Sequence, residues 1–258
     1  MKFSSNYKFE AREALYGNWG TAVLVSFVAT LCGSTIGVIA NFIPSFDPTT
    51  TDVDAWLRSL PSGHIGTIAL FLLVLYGVIL FFSLANFLLR GPIRLGLVRF
   101  YLNLVDGKPA SLRDLFSQFR RFGPALLAEL LMSVYLTLWT LLCVIPGIVK
   151  SFSYAMTPYI MLEHPELSAN QAITESCYIM DGNKWRLFCL RCSFFGWYLL
   201  IMLPSILLGF LPFDGLFGTM VYTFISGGFA FIGTLFLAPY EAAATSAFYR
   251  DITATTAE

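Results

Sequence analysis

Residues 124–162 read PALLAELLMSVYLTLWTLLCVIPGIVKSFSYAMTPYIML, and this stretch decides the fold of the chain. Glu129 and Lys150 are its only charged residues, and the pair Pro146-Gly147 interrupts it near the middle. A helix needs about 20 mainly apolar residues to cross a membrane. The stretch therefore predicts two membrane-crossing helices joined by a tight turn.

The composition of the whole chain agrees with this prediction. Of 258 residues, 57% are hydrophobic and only 12% are charged, whereas soluble domains carry about 25% charged residues. Such a chain lacks the polar surface that water requires, so its surplus apolar surface is expected to face lipid. The formal net charge is zero, which gives no support for nucleic acid as a partner.

Apolar runs of spanning length recur along the chain, and they predict an all-α polytopic membrane protein formed by one integral membrane domain over residues 1–258. The six predicted transmembrane helices are 20–43, 65–89, 124–145, 148–162, 187–211 and 216–239. The weakest is 148–162, because it is short and has Lys150 near its start and Pro158 near its end. A re-entrant segment is the alternative there.

The distribution of basic residues predicts the sidedness. Seven of them lie between the second and third predicted helices: Arg90, Arg94, Arg99, Lys108, Arg113, Arg120 and Arg121. Three more accompany the start of the fifth predicted helix: Lys184, Arg186 and Arg191. Cytoplasmic segments are rich in Lys and Arg, so both regions are predicted to be cytoplasmic. Residues 124–162 must then cross twice, which predicts six helices with both termini in the cytoplasm. If 148–162 does not span, the sidedness of everything after it inverts.

Three polar segments have the period of amphipathic helices and are predicted to lie at the cytoplasmic interface, over 7–16, 111–122 and 168–180. Ser168 is the predicted N-cap of the third. Each segment precedes a predicted helix that leaves the cytoplasmic side (the outgoing helix) and a second one that comes back to it (the returning helix). This order suggests three repeated hairpins. The alternative is that proline, glycine and tryptophan gather at membrane interfaces for unrelated reasons.

Each predicted returning helix carries a proline near its cytoplasmic end, at Pro92, Pro158 and Pro239. A proline in a membrane helix removes a backbone hydrogen bond and kinks the helix. Two interpretations follow. The kinks open a cavity toward the cytoplasm, or the prolines simply end the lipid-embedded part of each helix, which is the interpretation we favour.

Glu129 and Arg191 are charges inside predicted membrane helices, at similar depths on the third and fifth helix. A charge there costs a few kcal/mol unless it is paired or hydrated. A structural ion pair between them is the favoured interpretation. A substrate or proton site, and separate extension of each side chain to the interface, are the alternatives.

Residue patterns of catalysis are missing from the sequence. It contains no HExxH, GxSxG, GxxxxGK[ST] or GxGxxG motif. Cys189 and Cys192 are spaced as a thiol pair on one helix face, but no second cysteine pair or nearby histidine completes a four-ligand metal set. They are interpreted as small packing residues, and no metal or cofactor is predicted.

Four stretches resemble a bacterial integral-membrane family that carries only a domain-of-unknown-function label. They are AREALYGNWGTAVL, LWTLLCVIPGIVKSFSYAMTPYIMLEHPELSANQAITES, MDGNKWRLFCLRCSFFGWYLL and APYEAAATSAFY, between residues 11 and about 249. Arg191 departs from the apolar residue expected there in this family. The family resembles, more distantly, the membrane domain fused to some glycerophosphodiester phosphodiesterases. Because the chain has no motif of that catalytic domain, the resemblance implies no hydrolase activity and transfers no catalytic residue.

The function predicted from these observations is that of a non-catalytic integral membrane protein in transport, lipid handling or an accessory role in a membrane complex. A membrane-embedded enzyme acting on lipids and a structural scaffold are the alternatives. Membrane lipids are the expected partners, with other proteins or a second copy of the chain besides, and no nucleic acid. The expected location is the bacterial inner membrane.

Overall fold

A computed structural model of the protein describes residues 3–33, 65–210 and 215–256, and within these ranges the chain is helical without strands. The α-helices are α1 (Ser4–Leu15), α2 (Trp19–Gly33), α3 (Ile65–Val105), α4 (Leu112–Phe116), α5 (Phe122–Leu142), α6 (Val144–Ser153), α7 (Thr157–Glu163), α8 (Ala169–Ile179), α9 (Lys184–Leu208) and α10 (Gly215–Thr256). A 3-10 helix over Ser117–Arg121 joins α4 to α5.

Two helices are far longer than a membrane crossing needs. α3 has 41 residues and α10 has 42, and about 20 suffice to cross the bilayer. In each helix the described side chains of the first half are mostly apolar and at least partly exposed, and the second half is largely buried in protein. The change comes at Pro92 in α3 and near Pro239 in α10, and both helices continue through the proline.

The buried halves of these helices form the centre of one hydrophobic core, which we call the head. It contains α1, the first part of α2, residues 90–121, α7, α8, the start of α9 and residues 237–256. Fully buried aromatic residues lie at its centre, among them Tyr7, Phe100, Tyr101, Phe194, Phe248 and Tyr249.

Long apolar segments extend from the head, and we call them the arms: residues 70–89, 130–150, 195–210 and 220–236. Most of their large side chains are exposed, for example Leu73 at 69%, Leu141 at 84% and Phe224 at 73%. Four helical stretches of the described residues are long and apolar enough to cross a membrane: Leu73–Val105, Leu112–Leu142, Lys184–Leu208 and Met220–Thr255. A fifth is added if α1 and the described part of α2, which meet at 101°, count as one span.

The predicted helix over 148–162 needs correction. The structure forms two short helices there, α6 and α7, with Tyr154–Met156 between them. Their 10 and 7 residues are each too few to cross a bilayer. α6 folds back along α5, where Gly147 lies so close to Thr140 that a Cβ on the glycine would fall 2.5 Å from Thr140 Oγ1. A turn between two helices is present, but it lies at Cys143 and not at Pro146-Gly147, which are inside α6, and the continuous helix predicted after it was wrong.

The other predicted helices have counterparts with different ends. The run 65–89 is only the first part of α3, and 216–239 is only the first part of α10. The run 187–211 lies largely in α9, which begins at Lys184 and ends at Leu208. The later part of 20–43 and the end of 187–211 lie outside the described residues.

The three predicted amphipathic segments are helical. They correspond to α1, to α4 with the 3-10 helix, and to α8. Ser168 caps α8 as predicted: its Oγ accepts a hydrogen bond from the backbone N–H of Gln171, and the Gln171 side chain accepts one from the Ser168 N–H at 2.9 Å. This reciprocal capping box satisfies N–H groups that the first turn of a helix leaves without partners.

Each outgoing helix lies beside the helix that returns after it: α2 beside α3, α5 beside α6, and α9 beside α10. Gly17 and Gly182 make the sharp elbows before α2 and α9, with φ of +80° and +76°. Only glycine adopts such angles without steric cost, and in both elbows an asparagine follows the glycine, at Asn18 and Asn183.

Candidate functional site

Glu129 forms ion pairs different from the predicted one. Its Oε1 lies 3.3 Å from Nε of Arg90, and its Oε2 lies 3.1 Å from Nη1 of Arg94. The Glu129 side chain is only 10% exposed, so a buried carboxylate holds two guanidinium groups at the junction of α3 and α5.

Arg191 lies elsewhere, with its guanidinium carbon 5.4 Å from the centre of the Phe152 ring. The prediction that it pairs with Glu129 was wrong because Arg90 and Arg94 were assigned to a loop beyond the membrane helix. α3 instead remains helical to Val105, which places the two arginines one turn apart on the face that meets α5.

The two arginines also line a cavity of about 280 Å³ between α2, α3 and α10. A volume near 300 Å³ is at the small end of ligand pockets. Its lining combines basic, hydroxyl and small apolar side chains: Ser26, Ala29, Thr30, Arg90, Ile93, Arg94, Leu97, Tyr101, Ala238 and Ala242.

The polar groups of this cavity lie at its two ends. The Arg90 and Arg94 side chains are 64% and 41% exposed, so both remain accessible while they hold Glu129. At the buried end, Ser26 Oγ and the Tyr101 hydroxyl share a hydrogen bond of 2.6 Å. Apolar walls thus join an exposed basic rim to a hydroxyl pair in the core.

The cavity lies where the arms end and the head begins. Residues 220–236 of α10 are arm residues, and Ala238 and Ala242 line the cavity immediately after them. On α3, Arg90 follows the last arm residue and is the first charged residue of the described part of that helix. The guanidinium groups are therefore at the level where an apolar span meets its polar surroundings.

The three candidate kink prolines occupy related positions. Pro92 and Pro239 are buried inside α3 and α10 beside the cavity, and Pro158 is in the first turn of α7. The first two do not end their helices, but each stands where exposure to the outside gives way to burial in the head. Both earlier interpretations, an opened cavity and the end of the lipid-facing part, fit these positions.

Cys189 and Cys192 are free thiols on α9, half-buried and exposed respectively. Among the residues that the structure describes, no group of three or more His, Cys, Asp or Glu side chains is arranged to hold a metal ion.

A second set of charged residues forms hydrogen bonds and ion pairs between distant parts of the head. The Tyr7 hydroxyl donates to Asp251 Oδ2 at 2.6 Å, and Arg186 donates to both residues. Arg250 donates to both oxygens of Asp106, at 2.8 and 2.7 Å, and to Glu163. Partial burial raises the pKa of Asp106, but the hydrogen bonds and charges of Arg250 and Lys108 outweigh this and hold that pKa below its ordinary value.

Sequence reasoning missed these contacts because their partners are 65 to 179 residues apart for Arg186 and 87 to 144 for Arg250. The usable signal was the cluster of charges directly after each predicted returning helix. Such a cluster indicates either a solvated loop or a continuing helix, and the sequence does not distinguish them.

Helices of this length and hydropathy, carrying exposed apolar arms, indicate a multi-pass membrane protein. The chain belongs to the family described as "Protein of unknown function (DUF975)", which matches residues 1–150 and 140–256. Comparison with curated proteins and with solved structures found no match.

Proposed function

We propose that the protein is a non-catalytic membrane protein that handles lipid, and that it binds an anionic phospholipid in the cavity at the junction of arms and head. The observation that carries the proposal is the position of Arg90 and Arg94 at the rim of an apolar cavity. A phospholipid has the matching order of groups, with a negative phosphate beside an apolar chain.

Charge supports this ligand. Two arginines carry +2 and Glu129 carries −1, which leaves a formal +1 at the rim. Guanidinium groups bind phosphate through several directed hydrogen bonds, and basic pockets between membrane helices bind anionic head groups. The exposed parts of both side chains are available to a phosphate without loss of Glu129.

The topology we propose has three hairpins that leave and return to one side of the membrane, the second returning through the short helices α6 and α7 and not through one spanning helix. The head and both termini lie in the cytoplasm of a bacterial cell, and the arms lie in the inner membrane. The neighbouring pairs α2–α3, α5–α6 and α9–α10 support the hairpins, and the basic residues of the head support the orientation. Cysteines placed at the exposed positions Ser111 and Asn170 should both react with reagent from the cytoplasmic side only. Reaction of the two from opposite sides contradicts the topology.

The remaining predictions belong to the same proposal. Transport of the bound lipid, or an accessory role beside another membrane protein, extends lipid handling. A distant similarity to the membrane domain of glycerophosphodiester phosphodiesterases is part of this proposal. An enzyme acting on lipids would need a nucleophile with an acid or base at the cavity, and its described lining includes no carboxylate, imidazole or thiol.

Mass spectrometry of the protein purified from native membranes in mild detergent tests the proposal. An anionic phospholipid should remain bound to the wild type. Arg90→Gln and Arg94→Gln should each reduce its occupancy about tenfold, since each removes a charged hydrogen-bond donor.

Arg99→Gln is the matched control, because Arg99 lies on the same helix and faces Asp114 at 3.6 Å outside the cavity. Equal lipid occupancy in all four proteins, or equal loss in all three variants, rejects the proposal.

A further inference from the structure

Equivalent positions on the three outgoing helices carry residues of very different size. Counted from the first residue of α2, α5 and α9, the eighth is Ser26, Glu129 and Arg191. The eleventh residue is Ala29 in α2, Met132 in α5 and Phe194 in α9.

These helices also have equivalent neighbours. α2 packs on α10, α5 on α3, and α9 on α6, so each outgoing helix contacts the returning part of another pair. The short helices follow the same cyclic order: α1 packs on α10, α4 on α3, and α8 on α7. The head is thus assembled from three similar junctions.

Two of the junctions contain spaces with matching walls. In the cavity beside α2, the neighbouring helix contributes Ala238 and Ala242, which are one before and three after its proline. In a much smaller space of about 10 Å³ beside α5, the neighbouring helix α3 contributes Gly91 and Leu95, which are likewise one before and three after Pro92. The cavity and the small space are therefore the same feature of the fold, one open and one nearly filled.

The eleventh residue differs between the junctions. Met132 lines the small space, and its side chain is longer by three heavy atoms than the methyl group of Ala29, which lines the open cavity. In the third junction Phe194 is fully buried, with its ring centre 5.1 Å from that of Tyr240. Ala29, which lines the open cavity, extends no further than a methyl group.

We propose that Ala29 determines what the cavity admits, and that a fatty acyl chain of the phospholipid takes the volume that Met132 and Phe194 fill with side chains in the other two junctions. This inference rests on the proposed function and adds the position of the chain and the residue that selects it. Arg94 lines both spaces, so the phosphate and Glu129 bind one guanidinium group from its two sides.

The test fills the cavity without touching its charges. Ala29→Phe and the milder Ala29→Met copy the residues of the other junctions, and both side chains enter an existing cavity instead of a closed core. In native mass spectrometry of the protein in phosphatidylglycerol nanodiscs, both variants should lose the bound lipid and should unfold at a temperature no lower than the wild type.

Leu24→Phe is the control, because Leu24 lies on the same helix and is 49% exposed outside the cavity lining. It should retain the lipid. Glycerol phosphate, which has the charged group without a chain, should compete poorly with the lipid in the wild type.

The two proposals fail in different ways. Loss of lipid from the arginine variants with full retention in a folded Ala29→Met protein overturns the acyl-chain inference alone. Retention of lipid in the arginine variants overturns the proposed function. Competition by glycerol phosphate at the same concentration as the lipid also contradicts a chain-binding cavity.

Discussion

The head and the arms differ in whether their apolar side chains are buried inside the protein. α10 shows this within one helix, because Phe248 is fully buried in the head while Phe236, three turns earlier, is 55% exposed in an arm. In water, burial of such a ring is a main source of folding free energy, whereas lipid is as apolar as the side chain itself. The head is therefore stabilised by hydrophobic burial and buried ion pairs, and the arms by the bilayer.

The sharpest test of this contrast compares the two phenylalanines. Phe248→Ala should lower the free energy of unfolding by about 3–5 kcal/mol, because it leaves a cavity in a closed core. Phe236→Ala should change it by less than about 0.5 kcal/mol. Thermal unfolding of the purified protein in detergent measures both changes. Similar losses would contradict the contrast, because they would mean that Phe236 also packs against protein.

The second comparison is between a largely buried ion pair and an exposed one. Asp251→Asn leaves Arg186, whose side chain is 17% exposed, without its ionised partner, and should cost about 3 kcal/mol. The control Asp181→Asn removes the exposed partner of Lys184 and should cost less than about 0.5 kcal/mol. Denaturant titration followed by circular dichroism gives both values, and equal effects contradict the structural role of the Arg186 cluster.

Two glycines of α3 provide the third comparison, Gly96 in the head and Gly77 in an arm. A Cβ on Gly96 would lie 2.0 Å from the backbone oxygen of Leu115, whereas one on Gly77 meets nothing within 4 Å. Gly96→Ala should therefore cost about 2 kcal/mol through displacement of α4 from α3. Gly77→Ala, in an arm, should be neutral or stabilising by at most about 1 kcal/mol. The same unfolding assay decides, and a harmless Gly96→Ala would mean that α4 does not pack closely on α3.

The smallest expected effect is a pH dependence confined to the head. The pKa of Asp106 is lower in the folded protein than its ordinary value, so its stabilising contribution is present above the unfolded-state pKa. That contribution is lost as the pH falls through the folded-state pKa. Unfolding measured between pH 6 and pH 3, roughly spanning ordinary carboxyl values, should show a steeper loss for wild type than for Asp106→Asn. Parallel curves would remove Asp106 from the stabilising network.

Much of the membrane character was predictable from sequence. Spans are recognised by length and composition, and both are local quantities. The amphipathic period likewise predicted α1, α4 and α8, and the cap at Ser168 was confirmed because a capping box needs only four consecutive residues.

The candidate site was only partly predictable. Glu129 was recognised because a lone carboxylate in an apolar run needs a partner. Its partner was misassigned because the rule that ends a membrane helix at the first arginine fails when the helix continues into a protein head. The cavity was out of reach, since Ala29, Arg94 and Ala242 come from three distant parts of the chain.

The amino-acid sequence by itself determined that this chain is helical, that its apolar runs are long enough to span a bilayer, and where charges interrupt them. These properties depend on neighbouring residues and on the cost of placing polar groups in lipid. Only the tertiary structure decided that α3 and α10 extend beyond their apolar halves into one core, that Glu129 pairs with Arg90 and Arg94, and that a cavity remains beside Ala29. These depend on which distant side chains fill the same space, which no local pattern specifies.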